Sequence, residues 1–154
     1  MLYLKSLQSF REYVGSKRLW HGRVFLLAIA LATAANGQAP DRSLPEKIRT
    51  MPQSQVMALG KTMAEGIADA SPAQVDSTTY LLAAVFSPQT NTLIYQYEST
   101  VPINDTASLS SKVARYHCAD PIRKAFMDRG IRFKHVYITP SGQREVYTSA
   151  RDCN

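Results

Sequence analysis

The sequence is short of the residues that most chemistry needs. It has two cysteines and three histidines among 154 residues, and no histidine falls in a spaced ligand motif such as H-E-x-x-H. It has no G-x-S-x-G, no glycine-rich phosphate loop and no paired-carboxylate motif. These gaps leave no constellation for catalysis, a metal or a cofactor, so the expectation is a non-enzymatic protein that binds neither. The longest apolar run, Val24–Ala35, spans roughly 12 residues, where a transmembrane helix needs ~20. A surplus of positive charge is also missing where it would count. The whole chain carries +6, but its first 37 residues hold five basic groups and one acid. The remainder has 13 basic and 11 acidic residues, too near neutral for a nucleic-acid binder.

What is present begins with the leader. A basic, polar stretch to Arg23, the short apolar run and the small residues Ala35-Asn36-Gly37 have the order of a secretory signal peptide. Cleavage after Gly37 would free Gln38; cleavage after Ala39, to free Pro40, is the alternative, and an uncleaved short anchor is the rival. The expected organisation is a signal peptide over 1–37, a flexible proline-containing arm over 38–53 with room for a helical turn near Glu46–Arg49, and one domain over 54–154. Periplasmic or secreted location follows, with no stable membrane span after cleavage. In an oxidising compartment an even cysteine count predicts one bridge, Cys118–Cys153, rather than two free thiols.

Past the arm, Val56, Leu59, Met63 and Ile67 recur at helical spacing over 54–70, and Ser71-Pro72 stops that helix. Residues 78–86 are apolar on both faces and predict a central strand; 92–99 alternate and complete a hairpin. Asp105 and Asp120-Pro121 are helix starts, with Leu109, Val113, Tyr116, Ile122 and Phe126 as the apolar stripe of one kinked helix or two short ones. Residues 131–138 and 144–150 predict a second hairpin across a turn at 139–142. The expected class is α+β, order α-β-β-α-β-β: a four-stranded antiparallel sheet of two hairpins packed by two helices.

Two surface features stand out. Arg115, Arg123, Lys124, Arg129, Arg132 and Lys134, with Lys112, face only Asp120 and Asp128 within 23 residues. If they share one face they suit an envelope protein with an acidic surface; otherwise they are a solvated helix face. His117 and His135 are expected as partly exposed surface residues. The strand tyrosines, Tyr80, Tyr95, Tyr97, Tyr137 and Tyr147, are expected in sheet packing.

The signal-like leader, the strand Leu93-Ile94-Tyr95-Gln96-Tyr97, Cys118 in the second helix, Tyr137 to Gly142 in the hairpin and the terminal Asp152-Cys153 resemble small exported proteins of Gram-negative bacteria without an assigned activity. In layout the chain is similar to periplasmic pilotin-like accessory proteins of secretion systems, although it lacks the lipobox cysteine those usually carry. The resemblance implies an accessory protein that contacts another envelope protein in a secretion or conjugation apparatus. The alternative is an inhibitor or immunity protein that blocks a cell-wall hydrolase or toxin through a loop such as 87–91 or 101–105. An adaptor would instead offer a groove or an unpaired strand edge.

Overall fold

A computed structural model describes residues 43–153. The expected signal segment and its cleavage site lie outside the described residues. Helices α1 (Leu44–Thr50) and α2 (Gln53–Asp69) come first, then strands β1 (Ala73–Gln74), β2 (Thr79–Ser87) and β3 (Thr92–Ser99). Helices α3 (Thr106–Ala119) and α4 (Pro121–Asp128) lead to β4 (Arg132–Thr139) and β5 (Gly142–Thr148), and a 3-10 turn spans Ala150–Cys153.

The class is α+β, but the sheet is mixed and has five strands in the order β1-β2-β3-β4-β5. Both expected hairpins form, β2–β3 and β4–β5. They meet in parallel, Thr92 opposite Arg132 and Tyr97 opposite Tyr137, where an antiparallel junction was expected. The reason lies between them. α3 and α4 together carry the chain back to the end of the sheet where β3 began, so β4 must run the same way as β3. Turn chemistry identifies hairpins, but the direction of a long crossover is set by packing.

The helix boundaries follow from local chemistry. Asp105 Oδ1 accepts the Ser108 N–H, and Asp120 Oδ1 accepts those of Ile122 and Arg123 at 2.9 and 3.1 Å, so Asp120 separates two helices. At the end of α4, Gly130 takes φ +80° and lets its own N–H and that of Ile131 reach Met127 O and Phe126 O. Residues 43–53, expected within an arm with a helical turn near Glu46–Arg49, hold α1, which is longer and packed. Leu44, Ile48 and Met51 form one apolar stripe; Ile48 is fully buried, and α1 packs against α4.

One face of the sheet carries the core. Leu93 and Phe133 pair across β3 and β4 and are both fully buried, with Tyr95 beside His135 and Tyr97 beside Tyr137 in the next rows. α2 covers β2 and β3 on this face, α3 lies against β5, and α4 with α1 closes the end where β4 begins. On the other face Val85 and Tyr147 lie open, and Tyr80 is also exposed.

β2 is not the central strand its apolar run implied. β1 pairs only with Leu81 and Tyr80, so from Leu82 onward β2 is the edge of the sheet among the described residues. The short β1 had no hydrophobic pattern by which to be recognised.

Candidate functional site

An edge strand that reads as apolar on both faces needs an explanation, and α2 supplies it. Between α2 and β2 runs a groove of about 420 Å³. Met57, Ala58, Lys61, Ala64 and Ala68 line it from the helix, and Ala84, Val85 and Phe86 from the strand. Their spacing places the helical residues on one stripe. Three of them are alanines, which keep the helix surface low beside the strand. At its floor Phe86 lies so close to Gly60 that a Cβ added there would sit 3.1 Å from the ring. Lys61 and Glu65 pair at 3.7 Å on the rim. The backbone groups of β2 from residue 82 to 87 that point away from β3 have no strand partner among the described residues. An unpaired edge beside an apolar groove is the arrangement that takes up a polypeptide segment: the edge supplies main-chain hydrogen bonds, and the groove receives side chains.

The two cysteines are bonded, with Cα atoms 5.4 Å apart, and they tie the end of α3 to the terminal turn. A shallow polar cleft lined by Ser110, Ser111, Arg115 and Asp152 lies over the bridge.

The six basic residues do not form one open patch. Arg115 is exposed along that cleft. Arg123 is only 8% exposed; its Nη1 donates to Asp120 Oδ2 at 2.7 Å and its guanidinium lies 4.4 Å over the Tyr116 ring. Lys124 donates to Asp128 Oδ1 at 3.2 Å. Arg129 donates to the carbonyl of Arg49 and to Gln53 Oε1, and Arg132 to the carbonyl of Thr90. Lys134 pairs with Glu145 at 2.9 Å on the open face of the sheet, away from Arg123. The expectation of outward-facing cations therefore fails at Arg123 and is offset by a neighbouring acid at Lys124 and Lys134. Charge counted along the chain carries no information about the carboxylates and carbonyls that tertiary structure brings alongside, and exposed pairs of this kind contribute little.

Both histidines, expected to be partly exposed, are buried. His117 is 0% and His135 4% exposed, and their Nε2 atoms meet at 2.6 Å. His117 stacks on Phe133 with ring centroids 4.3 Å apart, and His135 lies 4.9 Å from Tyr95 and 5.6 Å from Tyr97. Burial pushes both imidazoles well below their ordinary range, helped at each by the nearby Arg123, so the pair is neutral at pH 7. Burial also raises the phenols: Tyr137 goes to about 12, with Asp76 adding to the shift, and Tyr95 and Tyr97 rise further. Tyr95, Tyr97 and Tyr137 do pack in the sheet as expected, but Tyr80 and Tyr147 are exposed. No group of three or more potential metal ligands comes together among the described residues. The signal for the pair was in the sequence: Val113 and His117 are four apart on α3, and His135 alternates with Phe133 and Tyr137. Tyr116, which the apolar stripe included, is 58% exposed.

The chain matches no protein-family model and no curated protein sequence. Its fold is that of several solved structures. It is similar to the pilotin EpsS of the Vibrio vulnificus type 2 secretion system at 15% identity and TM-score 0.58, over 66% of this chain and 94% of that one. It is similar to the pilotin AspS of the Vibrio cholerae type II secretion system at 16% identity and TM-score 0.53, over 72% and 99%. A Pseudomonas aeruginosa protein shares the fold at 11% identity and TM-score 0.56, over 66% and 96%. The fold is pilotin-like, and at these identities the likeness is one of fold.

Proposed function

We propose that this protein is a non-enzymatic accessory protein of a bacterial secretion apparatus, exported to the periplasm, and that it binds a secretin of that apparatus through the groove between α2 and β2. The open edge of β2 beside an apolar groove carries this reading, because it is the adaptor's surface rather than the inhibitor's. Both loops named for an inhibitor are small, and the one at 87–91 is tied back: Arg132 N–H donates to Asn91 O at 2.8 Å and its guanidinium to Thr90 O. The fold held in common with two pilotins agrees with the reading. No helix among the described residues is long and apolar enough to cross a membrane.

Ala58→Phe tests it. Ala58 is exposed on α2 and lines the groove, so a ring there fills the groove without entering the core. Titration calorimetry against the purified secretin of the same organism should show binding weakened by about tenfold or more, equivalent to ~1.4 kcal/mol, with an unchanged thermal midpoint. Equal affinity for the variant and the parent protein removes the groove from the reading; absence of binding by the parent removes the partner.

A further inference from the structure

α3 is held to the sheet by little. In its 14 residues it buries Val113 and His117, whereas the eight residues of α4 bury Arg123, Ala125, Phe126 and Met127. An element with so few buried side chains opens at low free energy, and one of the two holding α3 is ionisable.

The proton count at that contact is tight. For two Nε2 atoms at 2.6 Å to attract, one ring donates its Nε2–H and the other accepts through a bare Nε2. The accepting ring then carries its hydrogen on Nδ1, and the donating ring has a bare Nδ1. Neither Nδ1 has a hydrogen-bond partner. A second proton must go to that bare Nδ1, where it makes a buried imidazolium with no free carboxylate facing it among the described residues. Facing the pair are Tyr95 and Tyr97 from β3, Phe133 and Tyr137 from β4, Val146 and Thr148 from β5 and Tyr116 from α3 itself. The charge that α4 brings near is Arg123, of the same sign, and the carboxylate of Asp120 is occupied by Arg123 and by the N-terminal amides of α4. Water reaches Nδ1 only if α3 moves off the sheet. The bond from Cys118 to Cys153 holds the C-terminal end of α3 in place as it does so.

We propose that the His117–His135 pair is an acid-sensitive latch: a proton added to it releases α3 from the sheet, and the Cys118–Cys153 bond keeps the released helix tethered so that it closes again on neutralisation. The latch lies on the opposite flank of the sheet from the partner groove, and it stands or falls independently of the secretin reading.

Amide hydrogen exchange on the oxidised protein tests it, with rates corrected for the intrinsic effect of pH. Between about pH 7.5 and about pH 5, opening of Thr106–Ala119 should increase roughly 30-fold, the factor by which one histidine of ordinary pKa binds its proton at the lower pH. Protection of β3 should stay well above that of α3 throughout, and α3 should recover on return to neutral pH. The double variant His117→Gln/His135→Gln keeps a donor–acceptor pair and removes the titration, so its α3 should not respond to acid. The latch is overturned by an α3 that ignores acid, by α3 and β3 opening together, by loss of α3 protection that does not reverse, or by a double variant that responds like the parent. Should the double variant fail to fold, the histidine ring protons of the parent protein decide. Titration near pH 6.5 while α3 amides remain protected overturns the proposal, and titration only as those amides lose protection supports it.

Discussion

The two flanks of the sheet are covered by different chemistry. On one, α1 and α4 interlock through Ile48, Phe126 and Met127 over Ile131, all at most 2% exposed. On the other, α3 rests on a valine, a histidine pair and a disulfide. The first flank draws its stability from apolar area, which does not depend on protonation or redox state. The second draws it from a proton count and a covalent bond, both of which respond to the medium. A protein exposed to that medium is therefore firm at one side and conditional at the other.

The largest effect expected is on the firm side. Phe126→Ala removes a fully packed ring and should lower unfolding free energy by about 4 kcal/mol in urea titrations, independent of pH between neutrality and mild acid. A loss under 1 kcal/mol would erase the contrast between the flanks. Removing the bridge with Cys118→Ser/Cys153→Ser comes next. Its 35-residue separation implies a loss of about 3–4 kcal/mol in the chain-entropy model. Hydrogen exchange of the variant at neutral pH should show that loss first in α3 and the terminal turn, and an even loss across the sheet would contradict the division.

Acid should act only on the conditional side, and its sign follows from the depressed histidines. Both are neutral in the folded state and take up protons when unfolded, so stability is complete above the unfolded value of ~6.5 and falls as pH drops below it. At pH 5.5 the loss should be about 1.4 kcal/mol for each histidine and about 3 kcal/mol for the two. Equilibrium unfolding at about pH 7.5 and about pH 5.5 measures it. Equal stability at both would show that the pair is protonated without penalty.

Much of this was legible beforehand. The spacing of Val56, Leu59, Met63 and Ile67 located α2, and Asp105, Asp120-Pro121 and Gly130 marked the ends of α3 and α4, because caps and breakers act within a turn of where they stand. Alternation located β3, and the turn at 139–142 located β4 and β5. The even cysteine count anticipated the bridge. The groove was half legible: residues 78–86 are apolar on both faces, a pattern that implies a central strand. A strand buried between neighbours and a strand left at a sheet edge beside a groove can have the same composition, and only the position of β1 tells them apart.

The sequence by itself determined α2, α3, α4 and the strands β2 to β5, with their approximate ends, and the pairing of each hairpin, since these depend on residues a few positions apart. Tertiary structure decided the rest. It turned the crossover so that β3 and β4 lie parallel, left the edge of β2 open, drew Arg123 inward against Asp120, and brought His117 and His135 together from 18 residues apart. Each of these depends on which groups meet across the core, and burial there strips the water that would otherwise have kept a histidine or an arginine on the surface.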